Sequence, residues 1–226
     1  MLMTLKNKSV LITGSSIGIG RETAYMFAKE GCRVVITYYK DEKEARLVEE
    51  KCRELGAPDA IVLKLNVTED KSIKDCVKAV VKKFKQIDIL VNNAGIIVWK
   101  SFNEQTYQDI ENQTRTNLEG LMKMTSEALP HVRDTIINVA SGAGKTGYAG
   151  IATYCATKFG VRGFSQSLAK ETKLKIYVIN PGVTATRMND FRGLPPERVA
   201  EVIVNAAKGK YKVPSGGDVD VWEVLK

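Results

Sequence analysis

Apolar positions along this chain follow two alternating rhythms. Six short β-branched runs, Ser9 to Thr13, Arg33 to Tyr38, Ala60 to Leu65, Ile87 to Asn92, Thr135 to Ala140 and Lys175 to Asn180, are apolar almost without interruption. That character marks strands buried on both faces of a parallel sheet, because a half-exposed strand alternates apolar with polar. Between them the spacing shifts to the helical period, which predicts helices near 18–30, 41–55, 69–85, 104–130 and 151–172. Thr68-Glu69-Asp70 supplies a helix start, Pro195-Pro196 opens a further helix over 196–208, and 218–225 reads as a last strand. A strand–helix repeat of this length requires right-handed crossovers and helices on both faces of a twisted sheet. The expected fold class is therefore α/β, one doubly wound domain over residues 1–226, with no linker and no repeat.

Composition narrows the function classes. With 226 residues and 44% hydrophobic content, the chain can bury one sizeable core. The formal net charge of +8 comes from 34 basic against 26 acidic residues. The densest basic patch, Lys78, Lys82, Lys83 and Lys85, lies on a predicted amphipathic helix and reads as a solvated face rather than a nucleic-acid surface. The excess does suit an anionic ligand such as a phosphorylated cofactor. Cysteines at 32, 52, 76 and 155 have neither metal-ligand spacing nor a CxxC pair, and fit a reducing compartment. The lone histidine, His131, follows a proline at a helix end and cannot build a histidine-rich metal site, so no metal is expected. No apolar run reaches the roughly 18 residues of a membrane span. Met1 to Lys8 shows no apolar core followed by a cleavage site, and the expected location is cytoplasmic.

The first strand runs into Thr13-Gly14-Ser15-Ser16-Ile17-Gly18-Ile19-Gly20, and a helix follows. Glycines let the backbone turn tightly against a pyrophosphate, and the helix N-terminus then offers free N–H groups and partial positive charge. A lone glycine pattern is weak evidence, but its place between the first strand and first helix of an alternating chain points to a Rossmann-type phosphate site. The second strand ends Thr37-Tyr38-Tyr39-Lys40, with no acid before Asp41. A carboxylate at this strand end favours NAD by accepting from the ribose 2′-hydroxyl, and here none is present. Lys40 either pairs with a 2′-phosphate or is an ordinary exposed residue, and Tyr39 can pack on adenine.

The sharpest chemical signal is Ser141 with Tyr154 and Lys158. Ser141 ends the fifth strand, Tyr154 follows thirteen residues later, and Lys158 lies four residues further on, on the same helix face. Reducing a carbonyl requires a hydride at carbon and a proton at oxygen. Tyrosine, with an ordinary pKa of about 10, is a poor base at neutral pH, and a neighbouring ammonium favours its phenolate. A serine hydroxyl can hold the carbonyl oxygen and stabilise charge developing on it. Cys155 points roughly 100° away on the helix from Tyr154 and is not read as a catalytic thiol.

These motifs, with Asn92-Asn93-Ala94-Gly95 after the fourth strand and Pro181-Gly182 after the sixth, resemble those of the short-chain dehydrogenase/reductase family. The matches run from about residue 9 to 188 in the family's order. The resemblance implies that Gly14, Ser16, Ile17, Gly18 and Ile19 line the pyrophosphate and that Asn93, Ala94 and Gly95 pass beneath the adenosine ribose. It implies that Pro181, Gly182, Thr184 and Thr186 border the nicotinamide. Asn92-Asn93 also reads as a bridge from strand to loop. By the same resemblance Ser141 polarises the substrate, Tyr154 transfers the proton, Lys158 tunes it and binds ribose, and Asn117 holds a water relay. Two departures stand out. Ile17 sits where NADP-using relatives often carry a basic residue, and Asn66-Val67 replaces their usual Asp-Val; an asparagine carbonyl can still accept from the adenine amino group. NADP(H) is favoured, and NAD(H) remains open.

The family's lobe over the substrate is short here, at about 184–195, which predicts an open pocket with Ala143, Tyr148, Trp99 and Met188 as candidate lining. Similarity to the 3-oxoacyl-carrier-protein reductase and sugar dehydrogenase branches implies a 3-oxoacyl thioester, a sugar or a small ketone as substrate. The resemblance further implies a homodimer or homotetramer pairing the 104–130 and 151–172 helices. Two alternatives stay open: a catalytically silent NADP-sensing protein, and a nucleotide-sugar epimerase, for which the chain lacks room for a substrate domain.

Overall fold

A computed structural model describes residues 3–226; Met1 and Leu2, the start of the expected domain span, lie outside the described residues. Strands β1 (Ser9–Ile12), β2 (Arg33–Tyr38), β3 (Ala60–Lys64), β4 (Ile87–Asn92), β5 (Val132–Val139), β6 (Lys175–Asn180) and β7 (Gly217–Asp220) form one parallel sheet in the order β3-β2-β1-β4-β5-β6-β7. The helices are α1 (Gly18–Lys29), α2 (Glu42–Glu54), α3 (Asp70–Phe84), α4 (Tyr107–Thr114), α5 (Gly120–Ala128), α6 (Ala152–Glu171), α7 (Pro196–Ala207) and α8 (Val221–Val224).

Alternate strand residues feed opposite faces, as the two-residue pleat requires. Val10, Ile12, Val34, Ile36, Ile89 and Val91 pack with Phe27 of α1, Val48 of α2 and Val199, Val202 and Ile203 of α7. Leu11, Val35, Leu90, Ile136 and Ile176 pack on the other side with Ile73, Val77 and Val80 of α3, Met124 of α5 and Leu168 of α6. Burial on both faces explains why the strands read as unbroken apolar runs. The strand order reverses between β1 and β4, and the crevice beyond their C-terminal ends is where this class of sheet holds ligands.

The helix expected over 104–130 is divided. Thr106 caps α4 with a reciprocal box, its hydroxyl accepting from Asp109 N–H while the Asp109 carboxylate accepts from Thr106 N–H, so α4 starts at Tyr107. A π-helical turn over Arg115–Glu119 then widens the helix before α5. Gly120 closes that turn against neighbouring backbone: a Cβ there would lie 2.6 Å from the Val67 carbonyl oxygen. At the C-terminus the expected strand over 218–225 stops at Asp220, and Val221–Val224 turn into α8. Among the described residues no helix is long and apolar enough to cross a membrane.

Candidate active site

The glycine turn hangs on the C-terminal end of β1 by side chains of its neighbours. Ser15 donates to the Ile12 carbonyl at 3.0 Å and accepts from Thr37 N–H, and Thr37 Oγ1 accepts from Gly14 N–H, both at 2.9 Å. Thr13 Oγ1 accepts from Asn93 N–H at 2.9 Å and Ala94 N–H at 3.0 Å, while Asn93 Nδ2 donates back to the Thr13 and Gly14 carbonyls. The loops after β1 and β4 are thus stitched together. Gly14 and Gly18 adopt φ of +65° and +57°, where a side chain is strained. A Cβ at Gly20 would clash with the Gly14 carbonyl and sit 2.6 Å from Asn93 Nδ2. The turn leads into an α1 N-terminus with neither a side-chain cap nor an acid in its first turn, which leaves its N–H groups and positive end directed at the crevice.

On the β2–β3 side, Asp41 accepts from Glu44 N–H as the cap of α2. Lys40 is exposed, its ammonium 5.4 Å from the ring centroid of exposed Tyr39. Asn66 is occupied locally: its carbonyl accepts from Thr68 N–H at 3.1 Å and Thr68 Oγ1 at 2.8 Å, and its amide donates to Glu69. That leaves the Asn66 oxygen no free lone pair for an adenine amino group. Val67 beside it is buried.

The structure brings Asn117, Ser141, Tyr154 and Lys158 to one place. Asn117 sits in the π turn, fully buried; its carbonyl accepts from Ile96 N–H and its amide donates to the Ile96 carbonyl, both at 2.8 Å. The same amide reaches Thr157 Oγ1 at 3.2 Å, and that hydroxyl donates to the Tyr154 carbonyl at 2.7 Å. Lys158 is buried, donates to the Val139 carbonyl at 2.9 Å, and lies 5.5 Å from the Tyr154 ring centroid. Gly95 joins these groups: a Cβ there would be 3.3 Å from Asn117 Oδ1 and 3.6 Å from Lys158 Nζ. Ser141, just past the end of β5, accepts from Ala143 N–H at 3.1 Å.

Burial disfavours charge on both α6 groups. It pushes the Tyr154 phenol up, with the Ser141 hydroxyl pulling it partly back, and pushes Lys158 down to about 8. The sequence spacing predicts that the lysine lowers the tyrosine; in this structure burial is the larger effect on Tyr154. Below about pH 8 Lys158 is nevertheless an ammonium, held beside the phenol ring.

The loop after β6 closes the crevice. Pro181 O accepts from Gly142 N–H at 2.8 Å, Thr184 Oγ1 donates to the Gly182 carbonyl at 3.0 Å, and Thr186 Cγ2 would lie 3.3 Å from a Cβ at Gly18. Thr186 therefore faces the glycine turn across the crevice. The 184–195 segment folds on itself through a Thr184–Leu194 bridge and a short turn at Arg187–Asn189. Trp99 Nε1 donates to the Met188 carbonyl at 3.0 Å, and Trp99, Tyr148 and Met188 are exposed at the rim. Ala143 instead packs inside with Ile97, Ile151 and Cys155 beside Tyr154.

Several supporting residues carry no sequence signal of their own. Gln113 is buried and accepts from Val98 N–H at 3.1 Å, and Thr153, next to Tyr154, donates to Gln105 at 2.6 Å. Two others do carry a signal: Asn92, read as a bridge from strand to loop, ties β4 to Asn138 and Thr125, both at 2.9 Å, and Thr13 directly precedes the glycine turn.

Known proteins are similar to this chain in sequence and in fold. Residues 8–194 fit the model of the short chain dehydrogenase family. A 3-oxoacyl-[acyl-carrier-protein] reductase of Staphylococcus aureus is 35% identical over 190 residues, 81% of this chain and 77% of that protein. An NADP-dependent 3-hydroxy acid dehydrogenase of Schizosaccharomyces pombe is 33% identical over 236 residues, 92% of this chain and 90% of that one. Among solved structures, a short chain dehydrogenase of Burkholderia cenocepacia in complex with NADP is similar at a TM-score of 0.90 and 26% identity, covering 96% of this chain and 97% of that one. The chain thus belongs to the short-chain dehydrogenase family, whose members are oxidoreductases that use nicotinamide cofactors.

Proposed function

We propose that this protein interconverts a carbonyl and a secondary alcohol with NADP(H), using Tyr154 as the proton donor and acceptor. The observation that carries the reading is the meeting of Tyr154, Lys158, Ser141 and Asn117 beside a glycine turn that leads into the uncapped N-terminus of α1. When bound, the nicotinamide supplies or accepts the hydride at the carbonyl carbon.

The protein's own residues do the rest. Ser141 Oγ holds the substrate oxygen beside the Tyr154 hydroxyl, so that the oxygen's growing charge meets a donor already in place. Tyr154 gives its phenolic proton to that oxygen in reduction and takes it back in oxidation. Lys158, charged below about pH 8, stabilises the phenolate left behind. Asn117 holds the Ile96 backbone and, through Thr157, the main chain at Tyr154, which fixes the tyrosine's approach.

For the cofactor, Gly14, Ser16, Ile17, Gly18 and Ile19 would hold the pyrophosphate, and Asn93, Ala94 and Gly95 the adenosine ribose. Pro181, Gly182, Thr184 and Thr186 would hold the nicotinamide end. NADP is favoured because Asp41 is engaged as a helix cap while Lys40 stands exposed over Tyr39, where a 2′-phosphate would meet it. Val67 backbone rather than the Asn66 side chain serves the adenine edge, since Asn66 is satisfied by Thr68. The relatives named for 3-oxoacyl and 3-hydroxy acid chemistry support a 3-oxo or 3-hydroxy acyl substrate. Exposed Ala152, Ala156, Phe159 and Gly163 form one stripe along α6 and support a homodimer or homotetramer built on that helix.

Reduction of 3-oxo esters with NADPH and with NADH tests this reading. Faster turnover with NADPH supports it; NADPH binding without turnover of any of them favours a silent sensor.

A further inference from the structure

The last helix stands against the loop that carries Ser141. In the gap over Gly142 lies the Trp222 ring of α8, 3.4 and 3.5 Å from where a Gly142 Cβ would be. Two ion pairs fix that arrangement. Lys145 bonds the buried carboxylate of Asp220, the residue before α8, and Asn180 Nδ2 donates to the same carboxylate at 2.8 Å. Arg162 of α6 grips Asp218 of β7 with two nitrogens, at 3.0 and 2.6 Å, and donates to the Gly144 carbonyl at 2.7 Å. The Lys145 ammonium also lies 5.9 Å from the Trp222 ring centroid. Despite this anchoring the Trp222 side chain is 41% exposed, so a broad apolar face is held open to solvent one residue from Ser141.

The ring's open face and Ser141 flank the same residue, Gly142. The family model matches residues 8–194, and Trp222 lies beyond it. We infer that Trp222 is a specificity-determining residue: its ring forms the wall facing the substituent on one side of the substrate carbonyl, and it selects a compact apolar group there. Lys145, Asp218, Asp220 and Arg162 are positioning residues that hold the wall. The inference rests on the carbonyl reduction proposed above.

The test compares ethyl acetoacetate with ethyl benzoylacetate, reduced by NADPH, in wild type, Trp222→Ala and Trp222→Phe. Opening the wall should raise kcat/KM for the phenyl ketone relative to the methyl ketone by about tenfold in Trp222→Ala, the scale on which apolar pockets discriminate size. Trp222→Phe should give a smaller shift, with NADPH affinity unchanged in both variants. A ratio that stays at the wild-type value, whether activity is intact or falls equally for both ketones, overturns the inference and leaves the proposed reaction standing. If Trp222→Ala does not fold, the Trp222→Phe ratio alone decides in the same way. A wild type that reduces neither ketone overturns the proposed reaction and this inference together.

Discussion

Asn117 and Ile96 hold each other by a reciprocal pair of hydrogen bonds, each 2.8 Å long, across the gap between the π turn and the loop after β4. Replacing Asn117 with alanine strips both Ile96 backbone groups of their partner. Ile96 is part exposed and its freed groups can turn to water, so each lost hydrogen bond costs about 0.5–1.5 kcal/mol and thermal unfolding should shift down accordingly. Beyond that, kcat should fall by about 100-fold at saturating substrate while NADPH affinity changes little. A variant that loses stability but keeps the wild-type kcat would reduce Asn117 to a structural residue.

Lys40→Asp places a carboxylate where a 2′-phosphate is expected. NADP affinity should drop by about tenfold or more, with NAD affinity unchanged or improved, as isothermal titration would show. Equal affinities for NADP in wild type and variant remove Lys40 from the site.

At the other end of the strands, Asp88 is buried and accepts from Ser9 N–H at 2.7 Å, Ser9 Oγ at 2.8 Å and Gln86 Nε2 at 2.6 Å, with Lys8 close by. Burial alone would raise its pKa, but these hydrogen bonds and Lys8 overcome it and hold the carboxyl below its usual range. A group depressed in this way stabilises the fold above its unfolded pKa, and that stability is lost as pH falls through the folded value. Asp88→Asn should therefore lower the unfolding temperature at neutral pH and flatten its decline in acid. Turnover per folded molecule should be unaffected, since Asp88 lies at the N-terminal end of β4, away from the crevice. Unchanged acid sensitivity would show that other carboxylates set it.

Much of this was legible beforehand because buried parallel strands and a glycine turn leave strong local signals. β2, β4 and β6 fall where the apolar runs put them. The break in the 104–130 helix was not legible, since it depends on Gly120 meeting the Val67 carbonyl, a contact between segments far apart in sequence. The same holds for β7: Asp218 and Asp220 give it little strand character, and it is held by Arg162, Asn180 and Lys145 from elsewhere in the chain. Asn66 looked available for adenine because its type is right; only the structure shows Thr68 already using it. Spacing placed Tyr154 and Lys158 on one helix face but could not show that burial opposes charge on both.

That burial has a consequence for stability. Lys158 titrates near 8 in the folded protein against 10.5 unperturbed, so between those values the unfolded chain binds the extra proton. Its contribution to stability accordingly rises as pH climbs from about 8 to 10.5 and is most unfavourable below that window. Lys158→Met should gain on wild type at neutral pH and lose that advantage as pH rises. Cys32, Cys52 and Cys76, each pushed up to about 12 by burial, act oppositely but are common to both proteins and cancel in the difference. A stability difference that does not vary with pH would mean that Lys158 is not titrating in this window.

The central claim is that the Tyr154 hydroxyl moves the proton, and single-turnover reduction of ethyl acetoacetate by the preformed NADPH complex tests it most directly. Tyr154→Phe keeps the ring against Lys158 and removes only the oxygen. NADPH should bind as tightly as to wild type, while the rate of NADPH oxidation falls by about 1,000-fold. A Tyr154→Phe protein that oxidises NADPH at the wild-type rate contradicts the account.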